Sequence, residues 1–422
     1  MPASPRKEDA MLQQLNEKTA RPSPDSVRPH RRVTRDRASA VFLSVVLVTF
    51  LAASSAPTPL YHDYQTHWHL TSGAITLVYG VYCLSVLVSL LTVGALSDHV
   101  GRRPVIWGAL ALEVLSMLVF LRAGGMPSLV LARTLQGLAT GAATSSLGAA
   151  LLDVTKRGGA LFVSVAPLVG MASGTLGASL LLVLFPDRSH SVYAVLLVTM
   201  TVQVIGLLFV PEPGFRRPGA LRSLRPRVRA PHSSRRALLL TAPVFVAVWA
   251  LGGFYLSLGP DLIQRVTGSP VSNGLIVSLL TACAVPAVLL TRRLAAERTS
   301  LGGSLLLASG VAVTLAAVHV DSGAVLYVGT AIAGLGFGPA FQGGVRLVTA
   351  TARPAERAGL MAAVYTITYL AMCVPVLGAG VLVGHYGLVR SAQLFGLLVI
   401  VLSLVPLAGL GKSGHPRKPS TE

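Results

Sequence analysis

Charge is scarce in this 422-residue chain. Only 12% of its residues are Asp, Glu, Lys or Arg, about half the fraction a soluble domain carries. Acidic residues are the scarcer kind, 16 against 35 Lys and Arg, so paired carboxylates for acid–base catalysis have little material to draw on. Three cysteines, Cys83, Cys283 and Cys373, lie far apart in separate apolar stretches. They form no disulfide framework and no Cys-based metal set. No G-x-x-x-x-G-K-[S/T] loop occurs, which argues against an ATP-driven pump in one chain. No nucleophile–base or metal constellation marks an enzyme. The excess of positive charge could suggest nucleic acid, but no basic stripe interleaved with aromatics sits on a foldable soluble segment. Neither a cofactor nor a nucleic-acid partner is expected.

What the chain has instead is long apolar sequence, at 52% hydrophobic residues. Runs long enough to span a bilayer, about 20 residues, occur near 39–58, 73–97, 104–122, 126–153, 158–184 and 190–210. A second set lies near 238–260, 271–292, 301–319, 322–350, 357–383 and 389–411. Twelve spans put both termini on one side. Most of the Lys and Arg fall in the tails and in alternate links, including Arg102, Arg103, Lys156, Arg157, Arg292, Arg293, Arg298, Arg353 and Arg357. The positive-inside pattern makes that side the cytoplasm. The expected class is an all-α membrane protein, placed in the inner (plasma) membrane of a bacterium. Residues 1–38 read as a disordered basic cytoplasmic tail without the apolar core of a signal peptide. Residues 39–210 form one six-helix half and 238–411 the other. Between them 211–237 is a cytoplasmic linker of eight Arg and one Glu, read as solvated and lipid-facing. Residues 412–422 are a second cytoplasmic tail.

The halves repeat. Pro59 and Gly73 recur as Pro260 and Gly274, 201 positions on; Gly137-Leu138-x-x-Gly141 recurs as Gly334-Leu335-x-x-Gly338, 197 on; Arg157-x-Gly159 recurs as Arg357-x-Gly359, 200 on. Three matches in order with nearly constant offsets indicate parallel duplicated halves, an architecture that places a substrate site near the midplane between them.

The stretch Gly94-Ala-Leu-Ser-Asp98-His-Val-Gly101-Arg102-Arg103-Pro104 joins the second run to the third. Gly94 allows close helix approach, Gly101 a tight turn and Pro104 a helix start. Asp98 lies at the membrane edge, where a carboxylate can meet Arg or a helix N-terminus. The stretch resembles the signature loop G-x-L-x-D-x-x-G-R-R of the major facilitator superfamily, with every signature position met. That resemblance implies twelve helices in two pseudo-symmetric halves. It also implies a latch on the cytoplasmic side, with Asp98 facing the start of the eleventh helix near Ala358 and Gly359. The alternative is a topology anchor only. The corresponding link of the second half, Thr291 to Ser300, keeps basic residues but has neither the Asp nor the Gly-Arg-Arg.

In the fourth run, Arg133-Thr-Leu-Gln136-Gly137-Leu-Ala-Thr-Gly141 places Arg133 and Gln136 on one face. A charge inside the membrane is a functional hypothesis by default. The stretch resembles the family's R-x-x-Q-G motif, whose arginine is linked to proton coupling. Arg133 either serves that role or hydrogen-bonds loops near the outer surface. Glu113, the one carboxylate near the middle of a run, is either a proton carrier or the structural partner of a polar neighbour. In the fifth run Gly170, Gly174 and Gly177 partly match a glycine-rich motif of proton-coupled drug antiporters, with Thr175 in place of its proline and Ala178-Ser179 in place of its last glycines. Helix packing explains them equally. Asp63 and Asp261, at the outer ends of the first and seventh runs, either line an external gate or are simply wetted, and the wetted reading is preferred. His62, Asp63, His67 and His69 read as an ordinary loop and not a metal site.

Trp249, Tyr255, Gln342, Tyr365 and Tyr369 are the candidate cavity residues. So polar-poor a cavity suits a small amphipathic compound. The expectation is a monomeric secondary transporter working by alternating access, with protons driving export. Proton-coupled uptake of a metabolite is the alternative, and a non-transporting membrane sensor or scaffold a minor one.

Overall fold

Backbone in hydrocarbon has to bond within itself, and the apolar runs accordingly become helices. The computed structural model describes residues 29–155, 159–185, 190–212, 218–226, 228–229, 231–353 and 356–410. The tails 1–28 and 411–422, part of the Arg-rich linker, and Lys156 and Arg157 lie outside the described residues. The first half comprises α1 (Pro29–Ser55), the short α2 (Tyr61–Trp68), α3 (Ser72–Thr92), α4 (Arg102–Leu121), α5 (Met126–Val154), α6 (Gly159–Leu184) and α7 (Ser191–Gly206). The second comprises α8 (His232–Ser257), the short α9 (Gly259–Thr267), α10 (Pro270–Thr291), α11 (Ala296–His319), α12 (Gly323–Ala350), α13 (Arg357–Tyr386) and α14 (Leu388–Leu410). Helix α1 begins at Pro29, ten residues before the expected boundary at 39, so the end of the tail expected to be disordered is helical, and α8 begins six residues before the expected boundary at 238.

Among the described residues, eleven helices are long and apolar enough to cross a membrane, where the sequence reading expects twelve. The exception is α5. It has 29 residues, ample length, but it carries Arg133, Gln136, Thr140 and Ser146 on faces that are almost wholly buried. Its polarity is turned to neighbouring helices and not to lipid, so composition understates it.

The two halves repeat in three dimensions. In the first, α5 packs on α1, α3 and α4, α1 on α6, and α4 and α6 on α7. In the second, α12 packs on α8, α10 and α11, α8 on α13, and α11 and α13 on α14. Each pair has its counterpart. The repeated glycines show why. A Cβ on Gly137 would come 2.5 Å from the Tyr82 carbonyl of α3, and one on Gly334 would come 2.5 Å from the Leu280 carbonyl of α10. Both seat the fourth helix of a half against the second, as small residues do at membrane interfaces. Between the halves, α3 packs on α13 and α6 on α10.

Candidate functional site

Three constellations place the residues singled out by sequence. The first lies on the arginine-rich face. Gly101 has φ +104, a conformation that favours glycine, and turns the chain into α4. Arg102 pairs with Asp98 four residues before it. It also donates from Nη1 to Ser97 Oγ at 2.8 Å and from Nε to Asp153 Oδ2, at the end of α5, at 3.1 Å. Arg103 Nη2 donates to the Leu208 carbonyl at 2.9 Å. The backbone N–H groups of Arg102 and Arg103 both donate to Glu212, at 2.8 and 3.1 Å. Glu212 therefore caps the N-terminus of α4 from after α7, where a carboxylate is favoured by the unpaired N–H groups and the helix dipole. These contacts all lie within the first half and the segment just after it. Asp98 engages Arg102, not the start of α13 near Ala358 and Gly359; there the Gly359 carbonyl accepts from the N–H of Arg229 in the linker at 3.3 Å. Gly94 sits in the turn after α3, hard against the Leu90 carbonyl of its own segment.

The second constellation is wholly buried. Helix α1 ends at Ser55 because Pro57 and Pro59 follow, and a proline has no N–H to give. A short 3-10 turn over Thr58–Leu60 leads into α2. Pro57 leaves the Ala53 carbonyl without its i+4 donor, and the turn away from the helix frees Ser54. In a membrane such groups need partners. Gln136 Nε2 donates to the Ala53 carbonyl at 3.0 Å, and Arg133 Nη1 to the Ser54 carbonyl at 2.8 Å. Arg133 also donates to Gln136 Oε1 at 2.6 Å and from Nε to the Tyr61 hydroxyl at 3.1 Å. Its guanidinium lies 5.1 Å from the ring centroid of Tyr82 and 5.5 Å from that of Tyr61, within cation–π range. Glu113 Oε1 accepts from Gln136 Nε2 at 3.1 Å, while its Oε2 has no hydrogen-bond partner. Arg133 and Glu113 are thus joined through Gln136.

The helix-packing glycines divide. A Cβ on Gly170 would come 2.5 Å from the Leu51 side chain of α1. One on Gly174 would run into the Ala52 carbonyl, and a Cβ on Gly141 would come 2.6 Å from Ser89 of α3. Gly177 meets nothing within 4 Å, so its place in a packing motif has no counterpart here.

The third group, the candidate cavity residues, is only partly brought together. Trp249 and Tyr369 are half-buried against one apolar cluster that draws on both halves, including Tyr82, Met171 and Phe337. Trp249 packs edge-on to Phe337 and Phe341, and its indole Nε1 has no partner. Gln342 is half-buried with Oε1 unpaired, and Tyr365 is half-buried. Tyr255 is 5% exposed and its hydroxyl is bonded to Thr330 Oγ1 of α12 at 2.9 Å, while its ring lines a small cavity between the halves. The hydroxyl bond braces the second half from within. A cavity of about 10 Å³ between its ring, Met171, Val277 and Thr281 lies where α6 meets α8 and α10.

At the face opposite the arginines, sequence reasoning singled out Asp261 and His62 but not their pairing across the halves. Thr58 Oγ1 donates to the Leu256 carbonyl at 2.9 Å, and Gln65 Nε2 to Asp261 Oδ2 at 3.0 Å. His62 Nδ1 is 3.6 Å from Asp261 Oδ1. Near the middle of α3 and α13, Cys373 Sγ lies 3.6 Å from the Gly80 carbonyl. All four contacts join one half to the other. Asp261 is not wetted, as its side chain is 14% exposed. The recurrence of Pro59 as Pro260 was the available signal, since both prolines mark chain breaks that face each other.

A family model described as Major Facilitator Superfamily matches residues 41–374, and the chain belongs to that family. Multidrug resistance protein D of Escherichia coli (strain K12) is 33% identical over 105 residues, 24% of this chain. The match spans 27% of that relative's length. Among solved structures, the nucleoside transporter NupG, in a mutant form, superposes with a TM-score of 0.68 at 13% identity, over 88% of this chain and 99% of that one. The human organic anion transporter MFSD10 gives 0.62 at 18% identity, over 90% and 100%. At these identities the two structures speak for the fold. As a member of that family the protein is a multi-pass integral membrane transporter.

Proposed function

We propose that this transporter works by alternating access, exporting a small amphipathic compound in exchange for protons. It would act as a monomer in a bacterial inner membrane, with its termini and its arginine-rich face in the cytoplasm. The observation that carries the reading is the distribution of polar contacts between the halves. Among the described residues, those joining the halves directly lie at the opposite, outer face and near the middle of α3 and α13, while Asp98 and Arg102 are occupied within one half. Such a seam fits a form shut on the outside, in which the latch to the start of α13 is undone and re-forms when the halves rock the other way. Arg133 and Gln136 hold the break after α1, and that break carries Thr58, His62 and Gln65 across to the second half. Trp249, Gln342, Tyr365 and Tyr369 would meet the substrate. Unpaired Nε1 and Oε1 atoms supply a few polar contacts in an apolar setting, as small-molecule sites do. Export is supported by the likeness to Multidrug resistance protein D, which covers only part of either chain.

The test is proton movement in inverted, energised vesicles with a pH-sensitive dye and a broad compound panel. The expected result is proton release on addition of a compound, present with the intact protein and lost without it. No release with any compound, together with uptake of a labelled metabolite by whole cells, would replace export with symport.

A further inference from the structure

Resting on the alternating-access reading, we propose that Asp261, held between the halves by His62 and Gln65, is a proton-binding site open to the outer face, and that a proton bound there keeps the halves shut on that side. The argument begins with geometry. Asp261 lies in the first turn of α9, and its carboxylate oxygens meet two side chains of α2, Gln65 at 3.0 Å and His62 at 3.6 Å. The two helices belong to opposite halves, so this contact exists only while the outer face is shut. Asp261 is 14% exposed, whereas His62 is 38% exposed, which gives solvent protons a way in along the imidazole.

Charge decides the direction. His62, with Asp63 beside it, is the titratable group facing Asp261 from α2. Among the described residues, α8, α10, α12 and α14, the other helices packed on α9, set no ionisable side chain against it. Burial pushes the Asp261 carboxyl above the ordinary carboxylate range, and the hydrogen bond from Gln65 and the nearby His62 imidazole offset this only in part. When the halves part, the carboxyl is wetted and returns to that range, near pH 4. The proton is held more tightly in the shut form. By linkage, proton binding therefore favours the shut form, and rising pH through the raised value favours opening. The hydrogen bond from Gln65 survives protonation: the carboxyl oxygen still accepts from Gln65 Nε2, His62 stays beside it at 3.6 Å, and the desolvated charge is gone. A proton arriving from outside would thus shut the outer face behind it, the order that exchange for an outward-moving compound requires.

The experiment measures the distance between spin labels at Thr66→Cys and Val320→Cys, both exposed on the outer face of opposite halves. It uses the full chain in liposomes, with Cys83, Cys283 and Cys373 replaced by Ala. The ratio of short to long distances is expected to rise roughly threefold or more from pH 8 to pH 5, within the tenfold per pH unit that one proton allows. Asp261→Asn should hold the short distance at every pH, while His62→Gln should keep the response. A distance insensitive to pH overturns the proposal, as does a response that survives Asp261→Asn or vanishes only with His62→Gln. Should the Asn variant not insert, Asp261→Glu must move the midpoint, and an unmoved midpoint overturns the proposal equally. No substrate enters this readout. Vesicles without proton release but with a pH-responsive distance would end the export reading and leave the gate. Vesicles that release protons while Asp261→Asn responds normally would do the reverse.

Discussion

The two halves share one packing scheme and differ at three matched positions. Arg133, Gln136 and Glu113 correspond, at the constant offset of 197, to Thr330, Ala333 and Gly310. In the first half these side chains form a buried hydrogen-bonded chain. In the second, Gly310 lies directly against Ala333, and Thr330 bonds Tyr255. The fold therefore does not need an intramembrane charge at this place. The reason for the charge lies one helix away. Pro57 corresponds to Leu258 and Ala53 to Phe254, at the offset of 201 seen for Pro59 and Pro260. The Leu258 N–H donates to the Phe254 carbonyl at 2.9 Å. Pro57 has no N–H, so the Ala53 carbonyl turns to Gln136. One proline accounts for one amide, and Arg133, on the neighbouring carbonyl, keeps the break in shape.

What the halves share should be the costliest to disturb. Gly137→Leu and Gly334→Leu are expected to abolish folded protein alike, since each would drive a side chain into a carbonyl only 2.5 Å from the Cβ and well-packed cores resist added volume. Size-exclusion profiles of the two variants check this. A monodisperse peak for one and not the other would mean that the halves are not packed equivalently.

Where the halves differ, the costs should differ. Arg133→Ala leaves the Ser54 carbonyl, the Tyr61 hydroxyl and Gln136 Oε1 short of a donor, and is expected to lower stability by about 3–5 kcal/mol with loss of gradient-driven flux. Thr330→Ala removes a single hydroxyl bond to Tyr255 and should cost about 1 kcal/mol. Thermal unfolding in one detergent compares them. Equal shifts would sink the account of Arg133 as the holder of the helix break.

Much of this was legible before any coordinates. Apolar length located the helix ends to within about six residues, because hydrocarbon leaves a spanning backbone few choices. The exception is the start of α1, where mostly polar residues 29–38 extend the helix beyond its apolar run. The glycine repeat foretold the seats of α5 and α12, and the signature loop stood out through its spacing. What stayed hidden was pairing across distance. Glu212 looked like one carboxylate in a linker, and only the fold brings it onto the N–H groups of Arg102 and Arg103. Asp261 looked wetted because its neighbours in sequence are a helix end and a turn, whereas its partners His62 and Gln65 come from the other half. The loop also suggested a partner for Asp98 that belongs to the family resemblance, and the pairing found is the local one with Arg102.

The signature loop offers a second contrast, because the matching link of the second half lacks its acid. Asp98→Asn should lower turnover roughly tenfold, about 1.4 kcal/mol in the barrier, with insertion intact. Arg292→Gln in the second-half link should leave turnover within about twofold, as an exposed charge contributes little. Flux in proteoliposomes normalised to protein measures both. Normal flux in Asp98→Asn would end the latch reading, and an equal loss in Arg292→Gln would make the loops equivalent.

The finest test exchanges the halves' solutions. If Gln136 stands in for the N–H that Pro57 lacks, then Pro57→Leu, which installs the residue of the second half, should make Gln136 partly redundant. Gln136→Ala alone strips the Ala53 carbonyl, one Glu113 contact and one Arg133 contact. In the Pro57→Leu background the Ala53 carbonyl has its helical donor back, as Phe254 does from Leu258. The cost of Gln136→Ala should then fall by about 1 kcal/mol, the worth of one buried hydrogen bond. A denaturation series on the two single variants and the double variant gives this coupling directly. The same cost in both backgrounds would mean that Gln136 serves Glu113 and Arg133 alone, and the proline would no longer explain why the first half carries Gln136 where the second has Ala333.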